Sequence, residues 1–231
     1  MIMKKKALLL GLFLLLGFVI YCLAQNEEKQ EGTLASLKVG ESLNLPSPRL
    51  KGDMSLEEAI AKRRSIRSYS PTPLTLEEIS QLLWAAQGIT EPNRGLRTAP
   101  SAGATYPYEV YVVTNEGVFH YLPKGHKLEK IKEGNIRADL TASAMGQAWV
   151  GDAGAVFILS AIYERTARYG ERAKLYVHLE GGHIAQNIHL QAVALKLGSV
   201  PIGAFNPERV KDVTGIPEGE VVYLIPVGHP R

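Results

Sequence analysis

Arginine and serine side chains are concentrated in one short stretch, Arg63-Arg64-Ser65-Ile66-Arg67. A guanidinium group presents a planar set of N–H donors that suits a phosphate, and a serine hydroxyl adds a further donor. The nearest acidic residues lie about one to two helical turns earlier in the chain, so they do not neutralise the stretch locally. The stretch therefore predicts a phosphate-binding site, although a solvated basic helix end favoured by the helix dipole fits the same residues.

Small residues dominate a second stretch, Pro100-Ser101-Ala102-Gly103, which continues through a loop to Pro107. Side chains of this size allow a ligand to approach the backbone closely, although Gly103 and Pro107 also fit a simple turn. Gln147 is an amide near a predicted helix end, where a surface position is equally reasonable.

Metal chemistry and side-chain catalysis are both unsupported by the residue pattern. His178, His183 and His189 are five and six residues apart, which misses the i,i+4 spacing of a helical metal pair. We interpret them as packing or surface residues and expect no metal site. No nucleophile or general-base pair is recognisable, so we predict no catalytic side chain.

Composition favours one globular domain with an appendage. The chain has 231 residues, a net charge of +3, 45% hydrophobic and 21% charged residues. The basic residues are scattered and no nucleic-acid-binding motif occurs, so we exclude nucleic acid as a partner.

The first 24 residues are typical of an export signal. Lys4-Lys5-Lys6 precede an uncharged, mostly apolar run over residues 7–24. Cleavage after Ala24 would make it a signal peptide, whereas its 18 residues also suffice for an uncleaved membrane anchor. A lipoprotein signal at Cys22 is disfavoured by the bulky Tyr21 before it. Each of these readings predicts an extracytoplasmic domain, secreted or attached to the membrane.

Three regions follow from these boundaries: residues 1–24 as signal peptide or anchor, 25–50 as a polar tether, and 51–231 as the folded domain. Capping boxes at Ser55 and Thr75 predict helices over residues 56–64 and 76–86. Further predicted helices cover residues 140–149, 172–197 and 207–213. Predicted strands cover residues 108–114, 118–122, 153–161 and 221–227, and residues 124–134 are interpreted as a surface connection. This mixture predicts an α+β fold with a sheet between helices.

Four stretches taken together resemble the nitroreductase family of FMN-dependent oxidoreductases. They are residues 63–67, residues 99–107, residues 182–187 leading into 197–205, and residues 225–230. The form Ser-Ala-Gly-Ala-Thr-Tyr-Pro at residues 101–107 is similar to the SagB-type dehydrogenase branch. The resemblance covers about residues 56–230, and each stretch alone is weak.

The resemblance implies an intertwined homodimer with a nitroreductase-like central sheet and FMN at the subunit interface. By position it assigns phosphate and ribityl contacts to Arg63, Ser65 and Arg67, with Arg64 beside them. It implies further flavin contacts from the partner's loop, from an amide and from the segment near the flavin ring: Pro100, Ser101, Ala102, Gly103, Gln147, Pro201, Ile202, Gly203 and Ala204. Two departures stand out, because Gly203 replaces a frequent acidic residue and Arg231 is the only basic contact left of the usual C-terminal arm.

The implied activity is hydride transfer through flavin N5 in a ping-pong cycle. The substrate would be a small molecule or a modified peptide, as in azoline dehydrogenation. NAD(P)H is the donor that the family implies, but an exported enzyme would not meet it, so a quinone is an alternative donor. A non-catalytic extracytoplasmic flavin carrier or sensor is the competing function.

Overall fold

The computed structural model describes residues 33–231 of the chain. The chain divides into two compact units, Met1–Ser36 and Leu37–Arg231. The described part of the first unit contains a single 3₁₀ turn, Leu34–Ser36. The predicted signal or anchor and the first part of the predicted tether lie outside the described residues. Within residues 33–231, no helix has the length and apolar character needed to cross a bilayer.

The second unit is built on a seven-stranded sheet in which neighbouring strands are antiparallel. Its strand order is β1-β6-β5-β4-β7-β9-β8, and β2 and β3 form a separate two-stranded ribbon. The strands are β1 Ser42–Asn44, β2 Ile89–Glu91, β3 Leu96–Arg97, β4 Tyr108–Thr114, β5 Gly117–Leu122, β6 Lys127–Glu133, β7 Ala155–Ala161, β8 Gly198–Ser199 and β9 Glu220–Gly228.

Six α-helices accompany the sheet in residues 33–231. They are α1 Leu56–Lys62, α2 Leu76–Gln87, α3 Arg137–Ser143, α4 Ala148–Asp152, α5 Ala173–Ala194 and α6 Pro207–Thr214. A kinked 3₁₀ segment, Tyr163–Arg172, leads directly into α5. The predicted α+β class, with a central sheet flanked by helices, is therefore confirmed.

Local sequence signals account for the elements that were predicted correctly. Thr75 closes a full capping box with Glu78 at the start of α2, and Gly88 follows the helix end. The β4–β5 hairpin turns at Asn115 and Glu116, as the turn residues predict. Every residue of β7 is buried, which matches its continuous apolar run.

Two predictions about secondary structure and one predicted domain boundary need correction. Residues 124–134 are not a surface connection, because they contain β6, whose alternation places Leu128 and the aliphatic stem of Lys130 on the buried face. Residues 140–149 form two helices rather than one, since Met145 and Gly146 adopt left-handed backbone angles between them. The folded unit begins before residue 51, because β1 pairs with β6 at the sheet edge.

The long helix α5 positions the residues of interest. It packs mainly against α2 and the 3₁₀ segment before it, and it buries Glu180 near its start and His189 near its end. Nine residues separate these two positions, which corresponds to about 14 Å along a helix axis. Two separate groups of polar residues are thereby held on one rigid element.

Candidate functional site

The first group, here called the arginine site, consists of residues 63–67 with His189 and Ser199. Arg63 ends α1 with extended backbone angles, and the chain then runs beside β8. The Ile66 N–H donates to the Ser199 carbonyl at 3.0 Å, and Ser65 forms a parallel bridge with Ser199. This pairing fixes the backbone, while Ser65 and Arg67 remain exposed.

A buried histidine orients the first arginine of this site. Arg63 Nη1 lies 3.0 Å from His189 Nε2, and His189 Nδ1 lies 2.5 Å from Ser199 Oγ. Because a guanidinium only donates, Nε2 accepts from Arg63 and Nδ1 carries the proton that His189 donates to Ser199. Burial, and secondly the charge of Arg63, lower the pKa of His189 to about 4. The imidazole is therefore neutral at neutral pH.

The other two guanidinium groups carry their charge at the surface. Arg64 folds back to donate to the carbonyls of Arg63 and Ala61, and Arg67 lies over the Trp149 ring, 5.6 Å from its centroid. Within residues 33–231, no carboxylate forms an ion pair with Arg63, Arg64 or Arg67. The site is thus a concentration of positive charge without a counter-charge from the described chain.

The segment that follows β8 contains a short stretch of exposed backbone, Gly203 and Ala204, which is here called the open shelf. Ile202 pairs with Leu224 of β9, which anchors the segment after Pro201. Gly203 and Ala204 then emerge at the surface, and a Cβ added at Gly203 would meet nothing within 4 Å. Gln147 Nε2 donates to the Ala204 carbonyl at 2.8 Å, so the amide predicted from sequence reaches this shelf.

The C-terminal residues return to the same region. Tyr69 forms an antiparallel bridge with Pro230, and the Ser70 N–H donates to the His229 carbonyl at 2.8 Å. The Arg231 N–H lies 3.3 Å from the Ser68 carbonyl, and its side chain is exposed. The backbone of Arg231 is therefore adjacent to the basic stretch.

The second group, here called the loop site, consists of residues 100–106 with Arg97 and Glu180. Ser101 Oγ accepts from the Tyr106 N–H at 2.8 Å and closes the loop on itself. Arg168 Nη2 donates to the Gly103 carbonyl at 2.6 Å. The predicted contacts Pro100, Ser101, Ala102 and Gly103 thus sit at the other end of α5 from the arginine site of the same chain.

Glu180 is a buried acid behind this loop, with 2% of its surface exposed. Gln87 Nε2 lies 3.5 Å from its Oε1, and Arg97 donates to the other side of the Gln87 amide at 3.1 Å. Burial raises the pKa of Glu180 to about 7, against the opposing influence of Ser101, Gln87 and Arg97. The carboxyl therefore changes its charge near neutral pH.

Sequence reasoning missed three residues of these two groups. His189 was expected only to pack or to lie at the surface, yet it holds Arg63 from 126 residues away. Ser199 gave one usable signal, because it lies within the stretch that carries the family resemblance. Glu180 gave the weaker signal of a carboxylate inside an otherwise apolar helix face.

Comparisons with known proteins identify the family of this chain. The model of the nitroreductase family matches residues 60–229. A candidate nitroreductase of Methanocaldococcus jannaschii is 41% identical over 197 residues, which cover 82% of this chain and 98% of that protein.

Solved structures show the same fold. The crystal structure of a candidate nitroreductase from Ralstonia eutropha JMP134 superposes with a TM-score of 0.75 at 28% identity, covering 84% of this chain and 92% of that one. The NADPH:FMN oxidoreductase of Vibrio harveyi, solved in complex with NAD⁺, gives a TM-score of 0.57 at 24% identity, with coverage of 76% and 68%. At this lower identity the likeness concerns the fold alone.

Proposed function

Since this chain belongs to the nitroreductase family, we propose that it is an FMN-dependent oxidoreductase that works as a homodimer. The observation that carries the proposal is the arginine site. Within residues 33–231, no carboxylate forms an ion pair with its guanidinium groups. These groups lie on the chain segment that pairs with β8, and the open shelf at Gly203 follows β8 closely.

The donor set of the site fits a flavin mononucleotide. Arg63, Ser65 and Arg67 offer N–H and O–H donors suited to a phosphate and the adjoining ribityl chain. Arg64 and Arg231 lie beside them as further positive charges. The shelf of Gly203 and Ala204 leaves room for a flat ring. The pairing of Ile202 with Leu224, directly after Pro201, and the hydrogen bond from Gln147 hold that shelf in place.

Bound FMN would supply the hydride chemistry, accepting two electrons from a donor and passing them to a second substrate. The chain's own residues would bind the flavin and orient it. His189 keeps Arg63 in one orientation, and its neutral state leaves the positive charge of the site on the guanidinium groups. Gln147 is held by two carbonyls, of Ala144 and Ala204, so it serves as a strut rather than as a proton donor.

Two features support the participation of a second copy. The predicted flavin contacts at residues 100–103 lie near Glu180, which is about 14 Å along α5 from His189 of the arginine site, so a partner's loop is better placed to reach the flavin. Apolar side chains also remain exposed on two helices: Leu56 at 61%, Ile60 at 54%, Leu175 at 47% and Leu179 at 52%. A dimer would cover these leucine and isoleucine side chains.

The electron donor and the substrate are proposed from the sequence and from a structural neighbour. The Vibrio harveyi neighbour is named for NADPH, so a nicotinamide is the first donor to test. Residues 7–24 predict export, and a reduced quinone is the donor that suits an extracytoplasmic enzyme. The SagB-like form of residues 101–107 supports dehydrogenation of an azoline ring in a modified peptide as an alternative first half-reaction. In that case the azoline itself would reduce the flavin, and an oxidised quinone would serve as the acceptor that reoxidises it.

The proposal is tested with purified full-length protein and its absorption spectrum. We expect a yellow flavin spectrum that bleaches under anaerobic conditions with NADH, NADPH or a reduced quinone and returns on adding a quinone or nitroaromatic acceptor. Bound flavin that only dithionite reduces would favour the non-catalytic carrier or sensor. Protein that stays colourless after incubation with FMN would refute both functions.

A further inference from the structure

Left-handed backbone is concentrated in the loop between β3 and β4. Gly103, Ala104 and Tyr106 have φ angles of 58°, 55° and 45°. Such angles are unfavourable for Ala104 and Tyr106, which carry a Cβ, so the conformation persists only if surrounding contacts stabilise it. Because residues 100–103 belong to this loop, the same contacts position the predicted flavin contacts.

Hydrogen bonds within the loop supply part of this stabilisation. Ser101 Oγ accepts from the Tyr106 N–H at 2.8 Å, and the Ser101 carbonyl accepts from the Ala104 N–H at 3.1 Å. The carbonyls of Gly103 and Tyr106 accept hydrogen bonds from side chains outside the loop. The loop conformation therefore depends on a neighbouring element.

That element is the 3₁₀ segment before α5, which supplies two arginines. Arg168 Nη2 donates to the Gly103 carbonyl at 2.6 Å, and Arg165 Nη1 donates to the Tyr106 carbonyl at 3.2 Å. Hydrogen bonds from a charged donor are stronger than those between neutral groups. Because both accepting residues have left-handed angles, the two guanidinium groups stabilise the strained part of the loop directly.

The first of these arginines is itself fixed to the central sheet. Arg165 Nη1 also lies 2.6 Å from Oε1 of Glu109 on β4. Glu109 Oε2 lies 2.7 Å from His120 Nε2 on β5, and these two side chains are only 15% and 18% exposed. The Tyr106 carbonyl is thus connected through Arg165 and Glu109 to two strands of the sheet.

The second arginine packs closely on the loop. A Cβ added at Gly103 would overlap the Arg168 guanidinium and the Tyr169 hydroxyl. Within residues 33–231, no carboxylate forms an ion pair with Arg168, and the Gly103 carbonyl is its shortest polar contact. Glycine is therefore favoured at position 103 both by the backbone angle and by the close approach of this guanidinium.

A buried hydroxyl adds a third connection between the two segments. Thr166 is 1% exposed, and its Oγ1 lies 3.0 Å from Thr105 Oγ1. Since Thr105 donates its own proton to the Ala102 carbonyl at 3.0 Å, Thr166 donates to Thr105. The 3₁₀ segment thus contacts the loop through three side chains, two of them charged.

We propose that Arg165 and Arg168 are positioning residues that hold residues 100–106 in the conformation that contacts the partner copy's flavin. This inference rests on the proposed function. The two guanidinium groups act through the loop backbone and need not touch the flavin. Without them the strained conformation would be populated by a smaller fraction of the molecules, and the apparent affinity for flavin would fall by that fraction.

Amide hydrogen exchange of flavin-free, full-length protein tests the hold on the loop. We expect Arg165→Ala and Arg168→Ala each to lower the protection factor of the Tyr106 amide about fivefold, and the two together about 20-fold. The double change is here called the loop-support variant. Amides of the buried strand β7 should keep their protection, which separates a local opening of the loop from a loss of global stability.

Two single variants serve as controls for the exchange measurement. Arg172→Ala removes a charge from the same segment, but Arg172 donates to the Tyr176 hydroxyl and not to the loop, so wild-type protection is expected. Arg168→Lys retains a cationic donor and should restore most of the protection that Arg168→Ala loses. A lysine variant as unprotected as the alanine variant would contradict the role of a charged donor at this position.

Flavin titration gives the second readout. We expect the loop-support variant to bind FMN about 20-fold more weakly than the wild type, and riboflavin more weakly by the same factor. The two losses should be equal because the loop is not proposed to contact the phosphate. A loss confined to FMN would mean that Arg165 or Arg168 attracts the phosphate itself, and it would overturn the positioning role.

A mixed dimer tests which copy's flavin the loop serves. One copy carries Arg63→Ala and Arg67→Ala, and the other copy is the loop-support variant. One site of this dimer then combines both defects, while the other combines an intact arginine site with an intact loop and should bind FMN with wild-type affinity. Two weakened sites would mean that each loop serves its own chain, which would overturn the inference.

The failures of this inference and of the proposed function are distinguishable. Unchanged Tyr106 protection, or unchanged flavin affinity, in the loop-support variant would overturn the inference and leave the proposed function intact. A wild type that binds neither FMN nor riboflavin would refute the proposed function, and the flavin-contacting role of the loop with it.

Discussion

The arginine site and the loop site each include one buried residue of α5, yet the two sites differ in their charge. The arginine site places permanent cations at the surface, and one of them, Arg63, donates to the buried weak base His189. The loop site is half-buried, contains left-handed backbone and is supported by a buried weak acid, Glu180. Burial favours the neutral form in both cases, lowering the pKa of His189 to about 4 and raising that of Glu180 to about 7.

This difference between the two pKa values determines which site responds to pH. Between pH 5 and 8 His189 stays neutral, so the charge of the arginine site is constant. Over the same range Glu180 passes from mostly protonated to mostly ionised, so the loop site changes. A flavin held by the arginine site of one copy and the loop site of the other would thus have one contact whose charge is constant and one whose charge changes with pH.

The largest effect is expected when the charges of the arginine site are removed. Replacing both Arg63 and Arg67 with alanine removes two charge-assisted contacts, each worth roughly 1.5–3 kcal/mol, and should weaken FMN binding at least 100-fold. Quenching of FMN fluorescence measures the dissociation constant. A double variant of the exposed Lys51 and Lys124 to alanine removes the same charge elsewhere and should bind like the wild type. Unchanged binding in the arginine variant would remove the basis of the comparison.

The second effect concerns stability at the loop site. A carboxyl whose pKa rises from 4.5 to about 7 binds more protons when folded, so the wild type loses stability as pH increases through this window. The loss approaches about 3 kcal/mol above pH 7. Glu180→Gln should remove this slope, so its free energy of urea-induced unfolding should change less between pH 5 and 8. An identical slope in Glu180→Gln would show that the acid is not titrating there.

The third effect has the opposite sign and belongs to the arginine site. The pKa of His189 falls from 6.5 to about 4 on folding, so the unfolded chain binds more protons and stability is lost as pH falls below 6.5. At pH 5 the loss is about 2 kcal/mol. His189→Gln should reduce this acid sensitivity in urea titrations, whereas His183→Gln, at an exposed position of the same helix, should retain it. Equal acid sensitivity in both variants would count against the buried pair with Arg63.

The smallest effect contrasts two glycines. Gly103→Ala places a side chain at φ 58° and against Arg168 and Tyr169, and it should lower the free energy of unfolding by about 1 kcal/mol. Gly203→Ala meets no described neighbour and should leave stability unchanged, but its methyl group would stand where the flavin ring is proposed. Thermal unfolding and FMN titration of both variants separate the two results. A destabilised Gly203→Ala would mean that the shelf is not open.

Local signals allowed much of the fold to be predicted from sequence, and distance along the chain limited the rest. The capping box at Thr75 and the β4–β5 hairpin depend on neighbouring residues, so they could be recognised. The strand β6 was missed because its lysines suggest a surface segment, whereas Lys130 is buried and donates to the Leu37 carbonyl at 2.9 Å. No local sequence pattern indicates such a long-range contact.

The same limit applies to the candidate site. The structure brings the basic stretch, Gln147, Ala204 and Arg231 into one region, as the resemblance implied for the flavin site. Their role toward FMN stays a prediction. The supporting residues His189 and Glu180 could not be assigned, because their importance comes from burial against segments about 90 to 126 residues away.

Comparing FMN with riboflavin tests the central claim most directly, since the two ligands differ only in the phosphate. Full-length protein stripped of flavin is titrated with each ligand, for the wild type and for the variant lacking Arg63 and Arg67. We predict that the wild type binds FMN at least 100-fold more tightly than riboflavin, and that the variant binds both with the weaker affinity. Equal affinities of the wild type for the two ligands would contradict the account.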